Sequence, residues 1–291
     1  MGLRVDAVSV VTGDHLHTSG RKLADRAIEQ ALADAGLAPG AIDLLVNAGI
    51  YHDRILGEPA LAALIQEDIG ANAEDPHEGA RGTFSFDVAN GAAGALTGLE
   101  IADGFLLDGT IDHAVVVASD SDPGHGLAPD FPFDPTAGAL VCSRADDDHG
   151  IVGFRWATSP DAAALRSGVL RFESGHNRLR LHEDDSFADS AAALAAKVAA
   201  QLLTDLGMTT SDLTHVAAAP FDVAFLDELA SHLGPAAPTI VRPTSDHRFH
   251  TAGLLAALAG AVAAPPSAGG ERVLLVAAGA GIVAGAALLT R

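Results

Sequence analysis

A few polar side chains in this sequence are of types that do proton or carbonyl chemistry, and they stand where the chain turns. Asn90 closes Thr83-Phe84-Ser85-Phe86-Asp87-Val88-Ala89-Asn90, which reads as a buried strand running through Gly91-Ala92-Ala93-Gly94-Ala95-Leu96 into a helix. Such a strand-to-helix elbow presents one side chain beside the first helical N–H groups, which attract anions. Nucleophiles often occupy elbows of this kind, yet no Cys, Ser or Thr lies between Asn90 and Leu96. Asn90 itself can hold a carbonyl, orient a histidine, or cap the turn through the backbone. His250, in Asp246-His247-Arg248-Phe249-His250-Thr251, stands at the start of a predicted helix. The positive helix end disfavours imidazolium, so a neutral ring can serve there as acid, base or oxyanion donor. Glu58 precedes Pro59 at another predicted helix start, where the dipole favours a carboxylate. Tyr51-His52-Asp53-Arg54 forms a polar loop, and His125 and Asp130 fall in a long stretch rich in Asp, Pro and Gly, 119–135, that reads as site-lining.

Other chemistry is excluded. The chain has 13 His, but no H-E-x-x-H pair and no cysteine partner, so no metal site is expected. Neither a Walker A nor a dinucleotide glycine motif occurs, so no cofactor is expected. Gly279-Ala280-Gly281 lies between two apolar runs and suits a tight turn. With 17 Lys+Arg against 38 Asp+Glu, the net charge of −21 argues against nucleic acid and against anionic membranes. The one cysteine, Cys142, sits in an apolar run, which rules out an intrachain disulfide and fits a reduced, cytoplasmic setting. Arg4 and Asp6 interrupt any apolar core of a signal peptide. The apolar segment from Val273 to Leu289 is Gly/Ala-rich, short for a membrane span and suited to two strands around a turn.

The elements that must position these residues follow from periodicity. Leu3 to Val11 alternates and is rich in Val, as a strand does. Leu23, Ala27, Ala31 and Leu32 share one face of a helix over 21–35 that ends at Gly36. Strands are expected over 42–48, 113–118, 137–143, 151–157, 215–219, 239–241, 273–278 and 284–290. Helices are expected from Pro59 to Ile69, from the elbow to Leu107, and over 186–206, 223–233 and 251–263. The stretch 169–180 reads as extended or irregular. Hydrophobic residues make up 48% and aromatics only 4%, so the core must be Ala, Val, Leu and Gly packed closely.

An internal repeat links the halves. Ala31 to Ala48 and Leu202 to Ala219 each read as a helix, a D-x-G end, a short turn and a buried strand. Two such halves, 1–149 and 150–291, imply a layered α/β protein. With the Phe86-Asp87-Val88-x-Asn90 elbow and the Gly279-Ala280-Gly281 turn, the chain resembles the thiolase-fold condensing enzymes, specifically β-ketoacyl-ACP synthase III-like proteins, over nearly its whole length. The resemblance implies a five-layered α-β-α-β-α fold, a two-fold dimer, and acyl transfer from a thioester of coenzyme A or a carrier protein, followed by Claisen condensation. It further implies a pocket lined by Ala92, Ala93, Tyr51, His52, Gly279 and Ala280.

The family's chemistry needs an elbow cysteine, a His, and an Asn or second His. The cysteine position falls on Ala92 or Ala93, the His on Ala219, and the Asn on His250. The family has some forty residues more between the first strand and first helix, including parts that grip coenzyme A, and these are missing here. The family's basic docking helix corresponds to 223–233, which here carries Asp222, Asp227 and Glu228 and would repel an acidic carrier protein. Arg171, Arg178 and Arg180 offer a substitute patch. Related head-to-head condensing enzymes place a glutamate base at the position of Glu58, reaching into the partner's pocket.

Three functions remain. One is a cysteine-free acyl-transfer or condensing enzyme using His250, Asn90 and Glu58, with no acyl-enzyme, in fatty-acid or polyketide-type metabolism. Another is a catalytically silent subunit paired with a cysteine-bearing homologue. The third is an acyl-binding protein without turnover. The retained polar set around the elbow favours the first, and the loss of both nucleophile and His favours the second.

Overall fold

The computed structural model describes residues 2–14, 18–52, 58–72, 82–124, 131–145, 149–243, 248–263 and 270–291. Asp53, Arg54, His125, Asp130, Asp246 and His247 lie outside the described residues.

One sheet has the order β1-β5-β4-β2-β3, formed by β1 (Leu3–Thr12), β2 (Leu44–Asn47), β3 (Phe84–Asp87), β4 (His113–Asp120) and β5 (Thr136–Arg144). A second has the order β6-β11-β10-β9, from β6 (Gly150–Thr158), β9 (His215–Ala219), β10 (Arg272–Gly279) and β11 (Val283–Thr290). A third, two-stranded sheet is the hairpin of β7 (Arg166–Glu173) and β8 (His176–Glu183). Helices α1 (Gly20–Ala35) and α2 (Leu61–Ile69) cover the outer face of the first sheet. Helices α3 (Gly94–Asp108) and α6 (Gly253–Val262) lie between the two large sheets, and α4 (Phe187–Asp205) and α5 (Val223–Leu233) cover the second. The result is the α-β-α-β-α layering expected.

Local chemistry accounts for these elements. On α1 the Ser19 hydroxyl accepts from Lys22 N at 3.2 Å, and Leu23, Ala24, Ala27, Ile28, Ala31 and Leu32 are buried. Gly36, at φ 68°, ends the helix in a conformation that a side chain resists. The repeat is visible as helix, 3-10 turn and strand: α1, Pro39–Ala41 and β2 in one half, α4, Thr210–Asp212 and β9 in the other. Small residues set the layer spacing. A Cβ on Gly98 would lie 2.9 Å from Val116 Cγ1, so α3 rests almost backbone-to-side-chain on β4. The single tryptophan, Trp156 on β6, donates from Nε1 to Glu100 of α3 at 2.6 Å, with Gly285 of β11 beneath its ring.

Three expectations are corrected. The strand leading to the elbow is a sheet edge and not a buried strand: β3 pairs with β2 alone among the described strands, and Phe84 is 58% exposed. Helix α2 begins at Leu61 and not at Pro59, because its first N–H groups are met from elsewhere. Asp87, at the end of β3, accepts from Leu61 N and Ala62 N, both at 2.8 Å, and so takes the positive helix end that Glu58 was expected to face. The stretch 169–180 is extended and not irregular, as part of the regular hairpin β7–β8. Among the described residues no helix is long and apolar enough to cross a membrane.

Candidate active site

The elbow is a loop from Val88 to Asn90, a 3-10 turn at Gly91–Ala93, and then α3. Gly91 has φ +53°, and a Cβ placed there would stand 4.0 Å from His250 Nε2. The imidazole therefore faces the backbone of the elbow. The Ala92 and Ala93 methyls are fully buried in the core between the sheets. Gly279, the last residue of β10, packs under the elbow: a Cβ there would lie 3.3 Å from the Asn90 carbonyl oxygen and 3.8 Å from the Ala93 Cβ.

His250 is 8% exposed and reaches the site from the segment leading into α6. Its ring lies 4.6 Å from that of Phe133 and 5.2 Å from that of Tyr51. Tyr51 and Phe133 are themselves 5.9 Å apart, so the three rings form one cluster. His250 Nδ1 points toward Asp120 Oδ1 at 3.7 Å, an electrostatic contact longer than a hydrogen bond.

Asp120, the last residue of β4, is buried and heavily bonded. Its Oδ1 accepts from Tyr51 N at 3.1 Å, and its Oδ2 from Thr251 N at 2.8 Å and from the Thr251 hydroxyl. Burial by itself raises this carboxyl, but His250 and the two Thr251 donors outweigh burial and hold it below the usual range. A buried carboxylate thus lies on the Nδ1 side of the imidazole and ties the Tyr51 loop to the His250-Thr251 turn. Tyr51 is itself raised by burial and by the Asp120 charge, with Arg166 opposing. Arg166 is also buried, 3.3 Å from Glu183 and over the Phe187 ring.

The remaining expected residues divide. Asn90 stands at the elbow, but its amide donates to Thr97 Oγ1 at 3.0 Å, and no hydrogen bond joins it to His250. That bond joins two side chains, and Asn90 makes no side-chain cap to the backbone of the turn. Glu58 is exposed and does not meet His250 within this chain. Ala280 is exposed in the β10–β11 turn. His52 lines a separate cavity of about 420 Å³ with Arg21, Lys22, Leu61, Leu64 and Asp68. Ala219 is buried at the end of β9, under Gly253 of α6. Cys142 is buried in β5, its Sγ 3.5 Å from the Ala114 carbonyl, and burial pushes its thiol well up. On the outer α4–α5 surface, Asp189, Glu228 and His232 have ligand atoms within 4.8 Å of one another, and His232 bonds Asp189 at 2.8 Å.

Sequence reasoning placed Asp120 and Phe133 only within the site-lining stretch 119–135 and singled out neither. One signal was present: an acid two residues past the apolar run Ala114-Val115-Val116-Val117-Ala118, at the C-terminal end of a buried strand.

No protein-family model matches the chain. It is 26% identical over 283 residues to β-ketoacyl-[acyl-carrier-protein] synthase III 1 of Lactiplantibacillus plantarum, covering 92% of this chain and 83% of the relative. It is 29% identical over 279 residues to β-ketoacyl-[acyl-carrier-protein] synthase III of Erythrobacter litoralis, with 92% and 83% covered. The crystal structure of the priming β-ketosynthase from the R1128 polyketide biosynthetic pathway superposes with a TM-score of 0.82 at 20% identity, over 99% of this chain and 96% of that one. The fold is the thiolase-like α/β fold of these synthases.

Proposed function

We propose that the chain is an acyl-transfer or condensing-type enzyme that acts on an acyl thioester without a covalent acyl-enzyme. The observation that carries this reading is the orientation of His250, with Nε2 toward the Gly91 backbone and Nδ1 toward the buried Asp120 carboxylate. The relatives named for acyl carrier protein supply the substrate class. Ala92 and Ala93 at the elbow, with Cys142 buried in a strand, support the absence of a thiolate nucleophile.

In this reading His250 Nε2 removes a proton from the acceptor's O–H, N–H or activated C–H. The acceptor attacks the thioester carbonyl carbon, and N–H groups of the elbow turn hold the resulting oxyanion. Collapse breaks the C–S bond, and the imidazolium returns its proton to the leaving thiolate. Asp120 keeps the ring aimed and stabilises the imidazolium as it forms.

The edge of β3 that no described strand pairs with, with exposed Phe84 against Phe86, supports a dimer formed by adding a second copy to the sheet. Glu58 lies shortly before Leu61, which Asp87 ties to that edge, so a partner there brings Glu58 across in trans. The buried thiol fits a reducing, cytoplasmic setting.

The test is release of free thiol from acyl-coenzyme A and acyl carrier protein thioesters by the purified chain. His250→Ala and Asp120→Asn are expected to lower the rate at least 100-fold and about 10-fold, with circular dichroism unchanged. Mass spectrometry should find no acylated protein. Thiol release unaffected by His250→Ala, or an acyl adduct on the chain, overturns this reading. The close packing of Tyr51 and Phe133 on His250 favours a second reading, a silent subunit. That reading expects no release from the chain alone and co-purification with a cysteine-bearing homologue.

A further inference from the structure

The hairpin β7–β8 has two unlike faces. In an antiparallel pair, residues directly opposite share a face, and successive pairs alternate. The pairs Gly168–Leu181 and Leu170–Leu179 therefore look one way, and Val169–Arg180, Arg171–Arg178 and Glu173–His176 the other. The first face turns inward. Leu179 is buried in the cluster of Tyr51 and Phe133, Leu181 packs on that cluster, and a Cβ on Gly168 would lie 2.9 Å from the Tyr51 hydroxyl. The hairpin is thus one strand thickness from His250.

The outward face is basic. It carries Arg171, Arg178 and Arg180 on a chain with a net charge of −21. Glu173 is the one acid among these pairs; it bonds Arg180, and the charges of all three arginines hold its carboxyl below the usual range after that bond. Arg171 stands directly opposite Arg178, an arrangement that costs folding stability. Folding alone does not call for two facing arginines and an exposed Val169 beside them. Phe172, at the tip, is 75% exposed. A ribbon of eight-residue strands is about 25 Å long and offers no cleft, which suits a macromolecular surface better than a small anion. By contrast α5 carries Asp227 and Glu228, with Asp222 as its N-cap.

We infer that the outward face of the β7–β8 hairpin is the docking surface for an acidic carrier protein that delivers the thioester to the His250 site. This rests on the proposed acyl-transfer reading for its substrate, and on charge complementarity for its location.

The test compares wild type with Arg171→Glu/Arg178→Glu, using purified bacterial acyl carrier protein, apo and acylated, and acyl-coenzyme A. Wild type is expected to bind apo carrier protein with affinity that falls as salt rises. The double variant should weaken that binding at least tenfold, raise KM for the acyl carrier protein thioester similarly, and leave KM for acyl-coenzyme A unchanged. Binding to apo carrier protein needs no turnover, so it separates the two claims: salt-dependent binding lost in the variant upholds docking even if no thioester is turned over. Wild type that binds no carrier protein, or a variant that binds it equally well, overturns the inference. So does an equal rise in KM for acyl-coenzyme A, which assigns the face to that ligand's phosphates. A changed oligomeric state with unchanged carrier binding assigns it to a second copy.

Discussion

Asp120 and Asp25 show how the same side chain behaves oppositely in two burials. Asp120 is met by three donors and by His250, so its charge is kept. Asp25 on α1 has a buried Oδ1 without a hydrogen-bond partner and stands beside Asp68 of α2, which Arg21 already holds through both carboxylate oxygens. Burial first, then the charge of Asp68, pushes the Asp25 carboxyl up to about 7, with Arg21 opposing. The folded state therefore holds this proton after the unfolded chain has lost it. Between the unfolded carboxylate range near 4 and about 7, stability falls as pH rises. Asp25→Asn should flatten that fall and make the variant more stable than wild type at pH 8, read from urea midpoints at pH 5 and pH 8. An identical pH dependence in both proteins would count against the raised carboxyl. None of this is legible in sequence, where Asp25 is one acid of many and its neighbour is on another helix. His250 was legible as a residue at a helix start. Its partner was not, since the contact with Asp120 spans sheet and helix.

At the scale of elements, the readable parts were those whose signals are local. Helix α1 carries its own N-cap, apolar stripe and terminal glycine within one stretch, and the repeated helix–turn–strand follows the same logic. Helix α2 was misplaced at its start because its cap comes from Asp87, 26 residues away from Leu61. β3 reads as buried because Phe-Ser-Phe alternates as well at an edge as inside a sheet. The β7–β8 hairpin reads only as extended or irregular because arginines interrupt its apolar alternation, the same feature that gives it a basic face. A glycine of α3 makes a definite case of close packing. With a Cβ at Gly98 only 2.9 Å from Val116 Cγ1, Gly98→Val should overpack the α3–β4 contact and cost about 1–3 kcal/mol. A lowered Tm with wild-type secondary structure is the expected record. An unchanged Tm would mean that α3 can lift from the sheet freely.

For the whole molecule, one core joins the two large sheets with α3, α6, α4 and α5, so residues of both halves pack together, while α1 and α2 close a second core on the outer face of the first sheet. The aromatic poverty of the sequence is answered by Ala, Val, Leu and Gly at the layer contacts, as composition required. Edge strand β3 is where this body meets the outside as a sheet, and Phe84 is the exposed group there. Replacing it, Phe84→Glu, puts a charge on the edge that a second copy would pair with. Light scattering after size exclusion should show a dimer for the wild type and a monomer for the variant. Two proteins of the same mass in solution would remove β3 from the dimer.

Trp156 gives the fold a reporter of its own. It is the chain's one tryptophan, and it bridges β6 to Glu100 on the helix that begins at the elbow. Any ligand that reseats that helix changes the carboxylate against the indole, and with it the colour and yield of a single emission band. Occupancy of the site can then be titrated by light, with no label and no turnover, in wild type and in His250→Ala alike.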